Sequence, residues 1–278
     1  MITKEFFTLS NGLKMPKIGI GTYKLMPHDE AYNAVFNALK EGVRHIDSAI
    51  IYRNEESVRK AIEDANIPRD ELFITSKLPP HIKNYQGAIR MFEKTLKNLG
   101  MDYLDCYIIN APGPFHDLDG DYDEGNVLAY QALIDLYKEK RVRSIGVSQF
   151  KIKDIENLIT HTNFVPHVQQ LSFFVGHVQD ELVRYCQSKA IQLQAFSPLA
   201  KGYLLNNPVL VSIAKKHQLS PSQVALRYII QKGIVPFPKA SSPEHIKLNT
   251  QLNFKLSDVA MSRLDDVNDD PRIYDDAV

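Results

Sequence analysis

Asp47, Tyr52 and Lys77 are three side chains whose chemistries complement one another. A tyrosine donates its proton well near neutral pH only if its pKa, about 10 in a free side chain, is lowered, and a nearby ammonium group has that effect. Lys77 could supply the ammonium charge, and Asp47 could hold Lys77 in place and keep it protonated. Tyr52 would then be a general acid towards a developing alkoxide, which suits carbonyl reduction.

The same three residue types also admit a purely structural interpretation. Asp47 and Lys77 would form an ion pair across the mouth of a barrel, while Tyr52 packs on a helix. Ionisable groups with strongly shifted pKa values occur in structural networks as well as in active sites. The spacing alone favours neither interpretation.

Short apolar runs alternate with helix-length segments along almost the whole chain. The intervening segments carry apolar residues at the spacing of an amphipathic helix, so the pattern predicts one helix after each strand. Continuous apolar runs are typical of strands buried on both faces, and regular strand–helix alternation favours parallel pairing. The eight predicted strands are 17–21, 44–47, 72–77, 104–110, 142–147, 167–170, 191–196 and 234–237.

Eight such units predict an α/β fold, a (β/α)8 TIM barrel, and 278 residues fit one barrel domain spanning 1–278. Asn11-Gly12 between two short apolar runs predicts an N-terminal β-hairpin, and an irregular C-terminal tail is expected after Leu256. A doubly wound open sheet is the alternative. It would have fewer strands and a glycine turn for phosphate, which Gly19-Ile20-Gly21 matches only in part.

Polar side chains crowd the carboxyl ends of the predicted strands, where barrel enzymes carry their chemistry. Asp47 and Lys77 end the second and third strands, and Asn110 ends the fourth. Because neighbouring strand ends converge on one pocket, we expect these groups to lie together. Further polar residues at these ends are Thr22, Tyr23, Ser148, Gln149, Gln169, Gln170, Ser197, Lys239 and Ser241.

The composition is that of an ordinary soluble globular protein, with 44% hydrophobic and 24% charged residues. Lysine plus arginine equals aspartate plus glutamate at 33 each, so no net charge favours nucleic acid or an anionic membrane. Cys106 and Cys186 are isolated, which predicts buried thiols and no metal site. We expect a cytoplasmic protein, monomeric or weakly oligomeric, whose partner is a small molecule.

Six segments, in order, are similar to the signature motifs of the aldo-keto reductase superfamily. They are NGLKMP (11–16), HIDSA (45–49) with Tyr52 and Asn54-Glu55, ITSK (74–77), IGVS (145–148), AFSPL (195–199) and PK (238–239). The resemblance covers nearly the whole chain and implies the same barrel with an N-terminal hairpin. It also implies NAD(P)H-dependent reduction of an aldehyde or ketone, in which hydride passes from the nicotinamide to the carbonyl carbon.

The resemblance assigns the catalytic roles. It makes Tyr52 the proton donor, tuned by Lys77 and Asp47, and puts Asn110 where most of the family has a histidine that orients the carbonyl oxygen. An asparagine amide can donate that hydrogen bond but cannot titrate. Two activities stay open: a reductase of a small aldehyde, ketoaldehyde or keto-sugar, slow or specialised, and an NADP(H)-binding redox-sensing or regulatory protein with little turnover.

The resemblance also implies a site for NADPH. Ser148, Gln149 and Gln170 match positions that hold the nicotinamide carboxamide, and Phe196 matches an aromatic that stacks on its ring. The predicted cofactor-binding residues are Gly21, Thr22, Asp47, Ser148, Gln149, Gln170, Phe196, Ser197, Leu199, Lys239, Ser241, His245 and Asn249.

At the adenosine end, Lys239 and Ser241 match contacts to the 2′-phosphate, and Asn249 matches a contact to the adenine. Lys239 and Ser241 therefore favour NADPH. His245 stands in place of the usual arginine and lacks its permanent charge and forked donors, so weaker discrimination against NADH is expected.

The substrate pocket is expected to be wide. Family members commonly line it with tryptophan, and this chain has none. The predicted walls are Tyr23, Ile51, Pro79, Ala111 and Phe115, with residues 270–278 as a candidate lid.

Overall fold

The chain begins with a short antiparallel hairpin that covers one end of a barrel. The computed structural model describes residues 1–118 and 120–267. Strands β1 (Phe6–Thr8) and β2 (Lys14–Pro16) pair around the predicted Asn-Gly turn, in which Gly12 takes a φ of 85°. The hairpin closes the barrel floor because its apolar residues join the core inside the barrel. That core contains Leu9, Met15, Phe73, Cys106, Ile108, Val168, Val235 and Phe237.

Eight further strands pair in parallel, and neighbours along the chain are neighbours in the sheet. Each lies within or overlaps a predicted strand, and most are shorter than predicted. They are β3 (Ile20–Gly21), β4 (His45–Asp47), β5 (Phe73–Leu78), β6 (Cys106–Ile109), β7 (Ile145–Ser148), β8 (Val168–Ser172), β9 (Gln192–Phe196) and β10 (Val235–Pro236).

Backbone hydrogen bonds join the first and last of these strands and close the barrel. The Gly19 amide donates to the Pro236 carbonyl (3.2 Å), and the Gly21 amide donates to the Pro238 carbonyl (3.4 Å). A Cβ on Gly19 would lie 2.6 Å from the Phe237 ring, so only glycine permits this approach. The partial glycine motif therefore serves barrel closure, and the predicted (β/α)8 fold is confirmed.

Helices surround the barrel. In α3, the buried residues Ala88, Phe92 and Leu96 repeat every four positions and form the face that packs on the strands. The Asn84 side chain caps this helix by accepting from the Gly87 amide. The helices are α1 (Asp29–Lys40), α2 (Glu55–Ala65), α3 (Tyr85–Leu99), α4 (Asp123–Lys138), α5 (Ile152–Thr162), α6 (Asp180–Ser188), α7 (Pro208–His217), α8 (Pro221–Gln231), α9 (Pro243–Thr250) and α10 (Asp258–Asp265).

The expectation of an irregular tail after Leu256 is wrong for its first part, which forms α10. This helix buries only Ala260 and Leu264, so its apolar pattern is too sparse to predict a helix. Ser257 starts it by accepting from the Ala260 amide. The candidate lid, 270–278, lies outside the described residues.

The described ranges, 1–118 and 120–267, contain neither a helix suited to span a membrane nor a metal-binding group of side chains. No helix there is long and apolar enough to cross a membrane. The same residues contain no group of three or more His, Cys, Asp and Glu side chains that could hold a metal ion. Both cysteines are buried free thiols.

Two histidines are buried inside the fold. His45 Nε2 lies 2.9 Å from Thr75 Oγ1, and burial lowers its pKa to about 3. His167 Nδ1 accepts from the Ile145 amide (3.2 Å), and burial lowers its pKa to about 4. Because these values lie below the ordinary 6.5, the unfolded chain takes up protons first as the pH falls. Both histidines therefore make the fold less stable below pH 6.5.

Replacing His167 isolates one of these contributions. From pH 7 to pH 5, we expect the free energy of unfolding of His167→Gln to fall by about 2 kcal/mol less than that of the parent. Urea unfolding at both pH values measures this difference. Glu55, whose pKa burial raises to about 7, acts in the opposite direction and cancels in the comparison. The exposed His161→Gln is the control, and an equal pH dependence in all three proteins would contradict the prediction.

Candidate active site

Asp47, Lys77 and Tyr52 come together at the carboxyl ends of β4 and β5. The Lys77 Nζ donates to Asp47 Oδ2 (2.6 Å) and to the Ser48 carbonyl (3.0 Å). Lys77 is 1% exposed and Asp47 is 4% exposed, so water hardly screens the pair. Tyr52 ends a short 3-10 turn, Ile50–Tyr52, and its ring centroid lies 5.2 Å from Lys77 Nζ.

The electrostatics of this trio differ in part from the expectation. Burial alone would lower the pKa of Lys77, but Asp47 and Tyr52 outweigh it and raise the pKa, which keeps the lysine protonated. Burial raises the pKa of Tyr52, and the lowering by Lys77 does not overcome it. The expected net lowering of the Tyr52 pKa is therefore wrong in this structure, because the phenol is desolvated. Tyr52 therefore stays protonated, and its ring lies beside the Lys77 cation.

Gln170 extends the network across the barrel. Its Nε2 donates to Asp47 Oδ1 (2.9 Å) and to Gln194 Oε1 (3.0 Å). Ser148 is the register partner of Gln170, and the Gln149 amide donates to the Gln170 carbonyl (2.9 Å). The three residues predicted to hold a carboxamide thus lie side by side, and one of them, Gln170, contacts Asp47.

Asn110 follows β6 and is 4% exposed. Its backbone is held by two hydrogen bonds: its amide donates to the Leu78 carbonyl (3.1 Å), and its carbonyl accepts from Gln149 Nε2 (3.3 Å). The side-chain Nδ2 is buried without a hydrogen-bond partner. An unpaired buried donor costs roughly 1–3 kcal/mol, so this amide has an unused hydrogen-bond donor.

The segment after β9 holds an unusual backbone. Phe196 is half-buried, and Ser197 follows it with a φ of 49°. Leu199 is half-buried, and Ala200 and Lys201 have φ values of 44° and 53°. Such left-handed conformations are costly for residues with a Cβ and concentrate at functional sites.

Residues predicted to contact the adenosine end lie around the start of α9. Lys239, Ser241 and His245 are exposed there, and Asn249 is buried further along the helix. The N-terminus of a helix carries partial positive charge and free amide donors, so the arrangement suits an anion.

Gly21 and Thr22 lie at the carboxyl end of β3, beside β10, at the seam where the first and last strands close the barrel. Thr22 Oγ1 donates to Ser48 Oγ (3.1 Å) and to the Asp47 carbonyl (3.2 Å), which fixes the backbone beside the acid. Gly21 lies at the seam, where a Cβ would come within 3.1 Å of the Phe237 carbonyl.

The predicted pocket walls divide into two sets. Tyr23 and Phe115 are 44% and 45% exposed, and the Tyr23 ring centroid lies 5.1 Å from that of Tyr52. Ile51 is half-buried, and Pro79 and Ala111 are buried. Two of the five predicted walls, Tyr23 and Phe115, are therefore exposed, and Tyr23 adjoins the Tyr52 phenol.

A groove of about 1540 Å³ lies at the other end of the barrel, between the hairpin and the amino ends of strands. Arg44, Phe73 and Arg143 line it, and no predicted site residue does. In barrels that end serves stability, so the chemistry belongs at the end where Asp47 and Lys77 lie.

The comparison with family models agrees with this geometry. The model for the aldo/keto reductase family matches residues 17–269. The chain belongs to the aldo/keto reductase family. The motif resemblance to aldo-keto reductases is thereby confirmed.

Individual relatives match over almost their whole length. The chain is 40% identical to glyoxal reductase of Bacillus subtilis, covering 97% of this chain and 95% of that protein. It superimposes on an aldo-keto reductase from a Medee basin deep-sea metagenome library with a TM-score of 0.89, at 38% identity and 94% coverage of both chains. Bombyx mori aldo-keto reductase in complex with NADP gives a TM-score of 0.88 at 29% identity, with 98% and 95% covered.

Sequence reasoning missed two polar residues of this aldo-keto reductase's network. Gln194 is fully buried and accepts from Gln170, and the Asn54 Nδ2 donates to the Thr22 carbonyl (2.8 Å). Gln194 interrupts an apolar strand, and an amide at such a position is a signal of a buried polar contact. Asn54 belongs to a signature motif, but its contact was not predictable, because its partner is a backbone carbonyl 32 residues away.

Proposed function

We propose that the protein is an NADPH-dependent reductase of a small aldehyde, ketoaldehyde or keto-sugar. The buried Asp47–Lys77 pair beneath Tyr52 is the observation that carries this proposal. A packing role needs no cation held beside a phenol, whereas a proton donor does, because the cation stabilises the phenolate that remains. Glyoxal reductase, to which the chain is similar, supports a small dicarbonyl as one substrate.

The residues have separate tasks in this reaction. The Asn110 Nδ2 donates a hydrogen bond to the carbonyl oxygen and orients it. When bound, NADPH supplies the hydride that adds to the carbonyl carbon. Tyr52 transfers its hydroxyl proton to the oxygen, so that hydride plus proton convert the carbonyl to an alcohol. Lys77 stabilises the resulting phenolate, and Asp47 holds Lys77.

The described residues support a nicotinamide cofactor. The adjacent Ser148, Gln149 and Gln170 favour a polar carboxamide near Asp47. We propose that Phe196 stacks on the nicotinamide ring and that Ser197 and Leu199 flank the cofactor.

At the adenosine end, the exposed cation of Lys239 and the N-terminus of α9 favour a 2′-phosphate, with Ser241 and His245 as further contacts and Asn249 towards the adenine. Gly21 and Thr22 are proposed to contact the cofactor from β3. The relative bound to NADP supports this choice of cofactor.

Stopped-flow oxidation of bound NADPH tests the proposal. We expect oxidation with at least one member of a panel of aldehydes, dicarbonyls and keto-sugars, and slower oxidation of NADH. NADPH fluorescence measures cofactor binding independently. Bound NADPH that no panel member oxidises would overturn the reductase and favour an NADP(H)-binding regulatory protein.

Asn110 provides a sharper prediction. Asn110→Leu keeps the side-chain size but removes the donor, so we expect kcat/KM to fall roughly 10- to 100-fold while the Kd for NADPH is unchanged. Steady-state kinetics and fluorescence titration measure the two quantities. Asn110→His keeps a donor at this position and adds a group that can titrate, so it is expected to raise activity on simple aldehydes. A parental rate in Asn110→Leu would show that the amide does not touch the reacting carbonyl.

A further inference from the structure

The turn that carries Tyr52 has little anchorage of its own. None of Ile50, Ile51 and Tyr52 is fully buried. Its backbone bonds are local: the Tyr52 amide donates to the Ala49 carbonyl (2.9 Å), and the Arg53 amide donates to the Ile50 carbonyl (3.2 Å). Arg53 then takes a left-handed φ of 57° before α2 begins. The Tyr52 side chain itself interacts with Lys77 and packs on the Tyr23 ring, so contacts outside the turn fix its position.

Asn54 supplies one attachment. It is 1% exposed, and its Nδ2 donates to the Thr22 carbonyl (2.8 Å) and to the Leu25 carbonyl (3.0 Å). Those two carbonyls flank Tyr23, whose ring lies against the Tyr52 ring. One amide group thus ties the start of α2 to the loop that packs on the phenol.

Glu55 supplies a second attachment, to β5. It is 2% exposed; its Oε1 accepts from Ser76 Oγ (2.9 Å), and its Oε2 accepts from Asn98 Nδ2 (2.8 Å). Ser76 immediately precedes Lys77, and successive side chains of a strand point to opposite faces. The Glu55 carboxylate therefore binds β5 on the face that packs against the helices, while Lys77 binds Asp47 on the face inside the barrel.

We propose that Asn54 and Glu55 act as positioning residues that hold the Tyr52 turn against both Lys77 and the Tyr23 loop. We call this pair the Asn54–Glu55 clamp. The catalytic consequence of the clamp rests on the proposed function, whereas its mechanical role does not. Proton transfer requires the phenol and the ammonium in fixed geometry, so a looser turn lowers the rate rather than substrate binding.

The chemistry of the carboxyl supports this role. Burial raises the pKa of Glu55 to about 7. The groups that face it are Ser76, Lys94, Thr95 and Asn98 of β5 and α3, and Tyr107 of β6. A buried carboxyl is costly, and an apolar side chain would pack there without that cost. In return, the two oxygens of the Glu55 carboxyl accept hydrogen bonds from two different elements, β5 and α3.

Two matched serine substitutions test the clamp. Ser76→Ala removes only the hydroxyl that links Glu55 to β5. Ser144→Ala is the control, because Ser144 is equally buried and loses one hydrogen bond, to the Asp105 carbonyl (2.6 Å), at the opposite end of the barrel.

We expect Ser76→Ala to lower kcat roughly ten-fold with little change in KM. Because Lys77 lowers the pKa of Tyr52, loosening the pair should also raise the apparent pKa of the acid in the pH profile of kcat/KM. Ser144→Ala should show neither change. Parental kcat and pH profile in Ser76→Ala, or equal effects in both variants, would overturn the clamp.

Hydrogen exchange gives a readout that does not need turnover. We expect the amides of Tyr52 and Arg53 to exchange faster in Ser76→Ala than in the parent or in Ser144→Ala. Unchanged exchange there would overturn the clamp even in an active enzyme. If none of the carbonyls tested leads the parent protein to oxidise NADPH, the proposed reductase is overturned. The hydrogen-exchange result would still decide the clamp.

Discussion

Tyr52→Phe should lose turnover by about 10²- to 10⁴-fold while it binds NADPH with parental affinity. The substitution removes only the hydroxyl, so the ring that packs against Tyr23 stays in place. Single-turnover oxidation of NADPH with the best carbonyl measures the chemical step, and fluorescence titration measures cofactor binding.

A matched control separates the missing proton donor from general damage. Tyr32→Phe also removes a phenol hydroxyl, which donates to Asp64 Oδ2 (2.9 Å) on the surface, and its rate should equal that of the parent. If Tyr52→Phe reduces carbonyls at the parental rate, another group supplies the proton and the assignment of the acid fails.

Asp105→Ala should give a large loss of stability, about 2–3 kcal/mol in the free energy of unfolding, because a buried amide loses its acceptor and two partly exposed arginines lose their carboxylate. Asp105 is fully buried at the amino end of β6. Its carboxylate pairs with Arg69 (2.7 Å) and Arg143 (2.8 Å) and accepts from the Ile74 amide (2.9 Å). Alanine would leave two arginines without their partner and a buried amide without an acceptor.

The pair between Arg59 and Glu63 provides the comparison for Asp105. Its N–O distance is also 2.7 Å, but both side chains are about half exposed, so Glu63→Ala should cost less than about 1 kcal/mol. Urea unfolding of both variants at pH 7 measures the contrast. Equal losses would mean that burial does not determine the strength of these ion pairs.

Much of the fold could be predicted because local patterns agree with the tertiary structure. Helices such as α3 carry a regular buried stripe with an asparagine cap and a glycine after the last turn, which are local signals. The misses occurred where the local signal is weak. In α10 only two residues are buried, so tertiary packing and the Ser257 cap decide the helix.

The candidate site could be predicted as residue types at strand ends, but not as a charge balance. Asp47, Lys77 and Asn110 each follow an apolar run, so topology alone places them at one end of the barrel. The raised pKa of Tyr52 was not predictable, because it depends on how far its surroundings exclude water.

The sequence by itself determined the barrel and the end of the barrel where Asp47, Tyr52 and Lys77 lie together. These follow from periodicity and from motifs that are local in the chain. The tertiary structure alone decided that Asn110 has an unpaired donor and that Asn54 and Glu55 attach the Tyr52 turn to two other segments. Those properties depend on contacts between residues more than 20 positions apart, and hydrogen bonds of that kind have no periodic signature.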